Sequence, residues 1–494
     1  MEKSINPSLS LAAQFTPQIS TSIITGMESF ITQVEGLEEE FIERLRKAVN
    51  IPSVSADPKL RSKVVAMAEF LTSELKTLGF SVEHRALGKQ AAVDIDLPPV
   101  VLARLGNDKK KKTVLVYGHY DVQPAAKADG WSTEPFDLAV KPSGQMFGRG
   151  ATDDKGPLLG WLNVVEAHKK AGVQMPVNLC CCFEGMEESG SEGLEKLIIA
   201  EANAYFAGVD CVCIADNYWL GTKKPCVTYG LRGCSYYEIE VSGPSADLHS
   251  GMFGGSVGEP MTDLVQLMAS LVSSDGKILI PGIMDQVEKL TDKEKALYPE
   301  ISYSMDDLHS AIGAKTGLFD DPVSTLMSRW RYPSLSLHGI QGAFSGGGAK
   351  TVIPAKVKGK FSIRTVPYMD MDKVDEIVYA HLNASWKTLG SKNTMKPGLV
   401  HRGPWWKSNY DHTNYKAAAD ATQRVYGMTP DYTREGGSIP VTITFEEALQ
   451  RNVLLLPMGR GDDGAHSTNE KLDKSNYING IKLQGAYLHQ LAIT

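Results

Sequence analysis

Four short, almost purely apolar runs divide this sequence: TVLVY (113–117), VNLCCCF (177–183), VDCVCI (209–214) and NVLLLP (452–457). Each has the length of a strand, and none alternates with polar residues. Strands covered on both faces read this way, and they belong to parallel sheets between helical layers. A helical pattern over 156–170 separates the first two runs. Helices are also predicted at 35–49 and 61–78. The second places Val64, Met67, Leu71, Leu75 and Leu78 at three- and four-residue steps and stops at Gly79. A last helix carries Ile478, Ile481, Leu488 and Leu491 on one face. The expected fold class is α/β, a mainly parallel sheet sandwiched by helices.

The texture changes near residue 234. CSYYEIEV puts Tyr237, Ile239 and Val241 on one face and Glu238 and Glu240 on the other, and VKGKFSIR (357–364) alternates too. Such strands belong to an antiparallel sheet with one wet face. Val374, Ile377, Val378 and Leu382 mark a helix between them and the return of the first texture after residue 405. The 494 residues suggest about three domain-sized blocks. The predicted division is an N-terminal extension (1–26), an α/β domain in two parts (27–232 and 405–494), and an inserted α+β domain (233–404). The first and last blocks are joined because the chemistry of both is needed at one point.

Composition removes several function classes. The formal charge of −7 gives no electrostatic reason to bind nucleic acid or an anionic membrane. The one basic block, Lys109–Lys112, reads as a solvated turn before a strand. No apolar stretch reaches the roughly 18 residues of a membrane span, and no secretory leader pattern is visible. Most of the seven cysteines lie inside apolar runs, with no C-x-x-C pair. They read as reduced, buried hydrophobes, which points to the cytoplasm.

Polar clusters follow or adjoin the apolar runs: GHYDVQPA (118–125), GRGATDDKGP (148–157), FEGMEESGSEG (183–193), IADNYW (214–219) and GRGDDGAHSTNE (459–470). Ligands of open α/β sheets bind beyond the carboxyl ends of the strands. One sheet can therefore gather His119, Asp121, Asp153, Glu187, Glu188, Asp216 and His466. Two imidazoles and five carboxylates would repel as bare groups. Divalent cations remove that problem, and nitrogen and oxygen donors without thiolate suit Zn²⁺, Mn²⁺ or Co²⁺. The inventory fits two ions: His119 with Asp216, His466 with Glu188, and Asp153 between them. Two close metals can hold a water, lower its pKa and clamp a tetrahedral intermediate. Glu187 is left free as a general base, and Asp121 stands two residues from His119 to hold its other ring nitrogen. Each cluster alone has a plain structural reading. H-x-D is common, paired glutamates are usually solvated, and DDK starts a helix. Five of them in order, each near a strand, are what carries the metal reading.

The clusters resemble those of the di-metal peptidase family that includes aminoacylase, succinyl-diaminopimelate desuccinylase and the glutamate carboxypeptidases. Within it, GHYDVQPA, GRGATDDKGP, EGMEESGSEG, DNYWLG, DLHSGMFGGSVGEPMTDL, TREGGSIPVT and DDGAHSTNEK are similar to the cytosolic non-specific dipeptidase and carnosinase branch. The likeness runs from about Met27 to the end of the chain. It implies hydrolysis of dipeptides, with Cys-Gly or carnosine-like substrates, or else an aminoacylase or glutamate-carboxypeptidase-like activity on the same fold. It implies two divalent ions per subunit, Zn or Mn, held by His119, Asp153, Glu188, Asp216 and His466, with Asp153 bridging. It gives Glu187 the base's role and Asp121 the support of His119, and it implies a cis peptide at Asp153–Asp154. It also implies a homodimer in which His249, in DLHSG, acts in trans on the oxyanion. Arg364 is implied to grip the substrate carboxylate, with Thr351 and Ser438 as further substrate contacts, and His249 and His466 also face the substrate. The inserted domain then serves as lid and dimer unit.

Other signals are set aside. SGGGAKT (345–351) lacks a glycine before Lys350 and precedes a strand pattern, so it is not a phosphate loop. Arg460-Gly461-Asp462 lies in the loop leading to His466. Asn383-Ala384-Ser385 is a glycosylation acceptor only in a secreted chain. His84, His168, His309, His338, His381, His401, His412 and His489 have no motif partners and are read as structural.

Overall fold

The apolar runs become the centre of one sheet. In the computed structural model, which describes residues 12–91 and 93–494 with side chains from residue 24, Thr113–His119, Asn178–Glu184, Cys211–Ile214 and Val453–Leu455 are buried at every position. They lie side by side in the order 178–184, 113–119, 211–214, 453–455, all parallel. Antiparallel strands flank them: Val100–Leu105 and Ser81–Arg85 on one side, Cys226–Leu231 on the other. The parallel register points the carboxyl ends of all four central strands the same way. The loops that follow them therefore emerge at one edge.

By contact pattern the chain divides into two compact units. Unit 1 comprises Met1–Tyr229, Ser408–Thr433 and Thr444–Thr494, and unit 2 comprises Gly230–Lys407 and Arg434–Ile443. In unit 1 the helices Lys155–Lys170 and Lys474–Ile493 pack against each other and are buried over most of their length. Gly160 permits this approach, since a Cβ there would sit 2.3 Å from Gln484 Oε1. The helix Arg61–Leu78 ends at Gly79, whose φ of 94° is the left-handed stop that glycine supplies.

The N-terminal segment differs from its sequence reading. Residues 1–11 of the expected extension lie outside the described residues. From residue 12 onward the chain is helical, Ala12–Gly36, followed by Glu38–Val49. The helix passes residue 26 without a break. Its Met27, Phe30 and Val34 enter the core, and the Phe30 ring stacks on His168 with centroids 4.4 Å apart. Ser, Thr and Ile weaken local helix propensity across 16–25. Packing of the C-terminal half, not propensity, fixes this helix, and a sequence scan does not see packing.

Unit 2 is built on a four-stranded antiparallel sheet in the order Ser334–Gln341, Lys356–Thr365, Gly233–Ser242, Thr394–Gly403. Gly233–Ser242 alternates between buried and half-buried at every step. Tyr237, Ile239 and Val241 form the inner face with Phe361 and Ile363, against Leu264 and Leu267 of Pro260–Ala269 and Val374, Val378 and Leu382 of Met371–Leu389. The charged stretch 284–330 holds short helices. Its Glu294 is pinned by Arg434 at 2.5 Å and Arg331 at 3.2 Å.

All seven cysteines are free, and six are buried. Among the described residues no helix is long and apolar enough to cross a membrane.

Candidate metal centre

The carboxyl-edge loops of unit 1 bring seven ionisable side chains together. Thr113–His119 ends on His119, which is fully buried. Asp153 directly precedes Asp154, the residue that caps the helix Lys155–Lys170, and the peptide bond between them is cis. The strand Asn178–Glu184 runs into the single turn Glu187–Ser189. Asp216 follows Cys211–Ile214, and His466 lies in the loop after Val453–Leu455. Four parallel strands thus supply the site from one edge.

Asp153 stands between the two histidines. Its Oδ1 is 3.0 Å from His119 Nε2, and its Oδ2 is 3.1 Å from His466 Nε2. Asp216 Oδ1 is 3.5 Å from the same His119 nitrogen, and Glu188 Oε2 is 3.0 Å from His466 Nε2. Two groups result: His119, Asp154 and Asp216 in one, Asp153, Glu188 and His466 in the other, each with ligand atoms within 4.8 Å of one another. The other His119 nitrogen, Nδ1, faces the Asp121 carbonyl oxygen at 3.1 Å and its Oδ1 at 3.5 Å. Glu188 Oε2 also accepts the Gln123 side-chain amide at 2.8 Å.

The electrostatics show an excess of negative charge. Desolvation and neighbouring carboxylates raise Asp216 to about 6 against the pull of His119. The same two causes push Glu187 well above the usual carboxylate range, with Asp216, Glu188 and Asp153 as the neighbours. Burial pushes Asp153 up, but its bonds to His119 and His466 outweigh this and hold it below the carboxylate range. His466 is raised to about 10 by its bonds to Asp153 and Glu188. Asp154 is fully buried, and its Oδ1 has no hydrogen-bond partner, while Oδ2 accepts the His119 amide at 3.2 Å. Crowded carboxylates, an unpartnered buried oxygen and a donor set of nitrogen and oxygen alone fit divalent cations.

Three further carboxylates had no role in the sequence reading. Asp154 entered it only within DDK and as the second residue of the implied cis peptide. Glu470 accepts backbone amides from the segment that carries Asp153. Glu184 accepts the Tyr117 hydroxyl at 2.6 Å and the Ser191 hydroxyl at 2.8 Å, bracing the turn that carries Glu187. A separate acidic group, Asp462, Asp463 and Asp473, encloses the Lys471 ammonium at 3.2, 2.8 and 2.6 Å. Its charge is met internally.

The other sequence-predicted residues lie in unit 2, in two pairs. His249 begins a short helix, where its Nδ1 accepts the Gly251 amide at 3.0 Å. A two-residue antiparallel ladder pairs His249 with Val352, next to Thr351, and both His249 and Thr351 are exposed. Arg364 Nη1 donates to Ser438 Oγ at 3.2 Å, and Ser438 Oγ donates to the Arg232 carbonyl oxygen at 2.5 Å. The loop carrying Ser438 is held further by the Arg232 amide on the Gly437 oxygen at 3.1 Å.

A sheet that gathers imidazoles and carboxylates at one edge defines a class. The profile of Peptidase family M20/M25/M40 matches residues 115–490, and the chain belongs to that family. It is therefore a metallopeptidase, and membership implies divalent-metal binding. The chain is 61% identical to the Cys-Gly metallodipeptidase dug1 of Schizosaccharomyces pombe, over 93% of this chain and 97% of that protein. It is 43% identical to the Beta-Ala-His dipeptidase of Mus musculus, over 94% of this chain and 96% of that one. Among solved structures, the di-peptidase Dug1p from Saccharomyces cerevisiae matches with a TM-score of 0.89 and 57% identity, covering 95% of this chain and 99% of that chain. Human carnosine dipeptidase 1 matches with a TM-score of 0.88 and 43% identity, covering 94% and 98%. These relatives set the chain in the dipeptidase and carnosinase branch that its motifs resemble.

Proposed function

We propose that this chain hydrolyses the peptide bond of unblocked dipeptides, with Cys-Gly and β-alanyl-histidine as the substrate types its relatives' names suggest. The observation that carries this is Asp153 turned to two histidines at once, each beside a second carboxylate. His119 and Asp216 would hold one divalent ion and His466 and Glu188 the other, with Asp153 available to both. Zinc or manganese suits these donors. When bound, such ions supply Lewis acidity at the scissile carbonyl and lower the pKa of water.

The chain's own groups do the rest. Glu187, which belongs to neither ligand group, takes a proton from the attacking water as the new C–O bond forms. It returns the proton to the nitrogen as the C–N bond breaks. Asp121 fixes the imidazole of His119. Arg364, oriented by Ser438, receives the substrate carboxylate through a planar guanidinium. Thr351 and Ser438 are further substrate contacts, and His249 stabilises the oxyanion from the second subunit of a homodimer. In this reading the insert 233–404 is the lid and dimer unit. The free, buried cysteines support a cytoplasmic location.

The deciding assay compares a dipeptide, an N-acetyl amino acid and a tetrapeptide. Cleavage of the unblocked dipeptide alone is expected. Cleavage of only the N-acetyl amino acid would make the chain an aminoacylase, and cleavage of the tetrapeptide a broader carboxypeptidase.

A further inference from the structure

Glu470 closes the segment GRGDDGAHSTNE, four residues after His466. Its side chain is fully buried, and both oxygens are used. Oε2 accepts Arg149 Nη1 at 2.6 Å and the Gly150 amide at 3.2 Å. Oε1 accepts the amides of Thr152 at 3.1 Å and Asp153 at 3.2 Å. One carboxylate thus caps three buried amides of the segment that delivers Asp153, groups that need an acceptor once water is excluded.

The same two segments meet elsewhere. Thr152 Oγ1 donates to Asp463 Oδ2 at 2.9 Å, Arg149 Nη2 to the Ser467 carbonyl at 3.1 Å, and the Gly148 amide to the Glu470 carbonyl at 3.0 Å. The His466 segment is itself in a confined conformation. His466 and Asn469 have φ of 60° and 61°, a region residues other than glycine occupy mainly where their surroundings fix them. Asn469 Oδ1 is tied to the Ser132 amide and hydroxyl, both at 2.7 Å. Asp153 and His466 come from distant parts of the sequence, and Glu470 is the side chain bonded to the first and anchored beside the second.

We propose that Glu470 is a positioning residue for metal binding, locking Asp153 and His466 at the separation where both address one ion. This rests on the metal-centre reading above. It concerns the preorganisation of that centre, not an additional ligand or a step of the reaction.

The test is a titration of metal-free protein with Co²⁺, followed by the visible absorption bands of the bound ion. Glu470→Gln keeps the shape but loses the charge and one acceptor. Its Co²⁺ affinity should fall about 10- to 100-fold, with altered bands. Glu294→Gln breaks a comparably buried pair with Arg331 and Arg434 in unit 2, and it should bind Co²⁺ as the unchanged protein does. If Glu470→Gln does not fold because Arg149 is left alone, the pair Arg149→Met with Glu470→Gln removes both charges together, and the same loss is expected. Undiminished Co²⁺ affinity in either folded Glu470 variant overturns the proposal. So does an equal loss in Glu294→Gln, which would make the effect one of general destabilisation. Failure of the unchanged protein to take up Co²⁺ overturns the metal-centre reading itself, and this proposal with it.

Discussion

Asp121 accepts the backbone amide of Glu187 through Oδ1 at 3.1 Å. Its Oδ2 accepts the amide of Glu188 at the same distance, and its carbonyl oxygen faces His119 Nδ1. One buried residue therefore sets the orientation of the His119 imidazole and the path of the turn that carries Glu187 and Glu188.

Asp121→Asn leaves one acceptor oxygen where two amides need it. The turn 186–189 should loosen and the imidazole lose its charged support. The expected result is a fall in kcat of about 10- to 100-fold with little change in KM. Steady-state kinetics on a dipeptide decide it. A raised KM with unchanged kcat would place Asp121 in substrate binding instead.

Glu187 lies outside both ligand groups, as does Asp121, whose carboxylate is taken up by the Glu187 and Glu188 amides. Glu187→Ala should lower kcat by about 10²- to 10⁴-fold, the usual worth of a positioned base. Metal content measured on the purified variant should match that of the unchanged protein. Normal turnover by Glu187→Ala would remove it from the base's role.

His249 is exposed, and its ring makes a local bond to its own turn. The trans role proposed for it is separable from Glu187 by subunit mixing. Glu187→Ala and His249→Ala homodimers should each be nearly inactive. Mixed dimers carry one intact site, so activity should return toward half the unchanged level. Confirmed heterodimers that stay inactive would confine His249 to its own subunit, and a fully active His249→Ala homodimer would remove it from catalysis.

The strands and the metal-type clusters were legible because their signals are local. Continuous apolar runs such as VNLCCCF mark doubly covered strands, and the polar loops at their ends stand out against them. What escaped was long-range. Glu470 meets Asp153 across 317 residues of sequence, and nothing local distinguishes a glutamate that caps buried amides from one on a surface. The Glu184 bonds to Tyr117 and Ser191 depend in the same way on the pairing of two strands. The helix Ala12–Gly36 escaped for a different reason, since its own residues do not favour helix and Phe30 finds its partner on another element.

Metal removal should be visible in stability as well as in activity. Ions that bind only the folded state stabilise it by about 3 kcal/mol at a hundredfold excess over Kd. Without them, the carboxylates of Asp216 and Glu187 remain crowded. Chelation should lower Tm, and added Zn²⁺ or Mn²⁺ should raise it with the logarithm of metal concentration. A Tm indifferent to metal would mean that the cluster does not bind it in the folded state.

A pH effect away from the metal centre is expected from His168. It is buried between Phe30 and His489, with Nδ1 on the Val164 carbonyl at 2.7 Å and Nε2 3.0 Å from His489 Nε2. Burial lowers its pKa to about 4. Above about pH 6.5 the ring is neutral folded and unfolded, and the packing stands at full strength. Below that, the unfolded chain binds a proton that the folded chain refuses, so stability falls as pH drops toward 4. The full loss is about 3 kcal/mol, from 1.36 kcal/mol per unit. Urea unfolding of the unchanged protein and of His168→Leu at pH 7 and pH 5 isolates this contribution. The variant should be less stable at pH 7, because it loses the Val164 bond, yet lose less on going to pH 5. An equal loss in both proteins would show that His168 is not the group responsible.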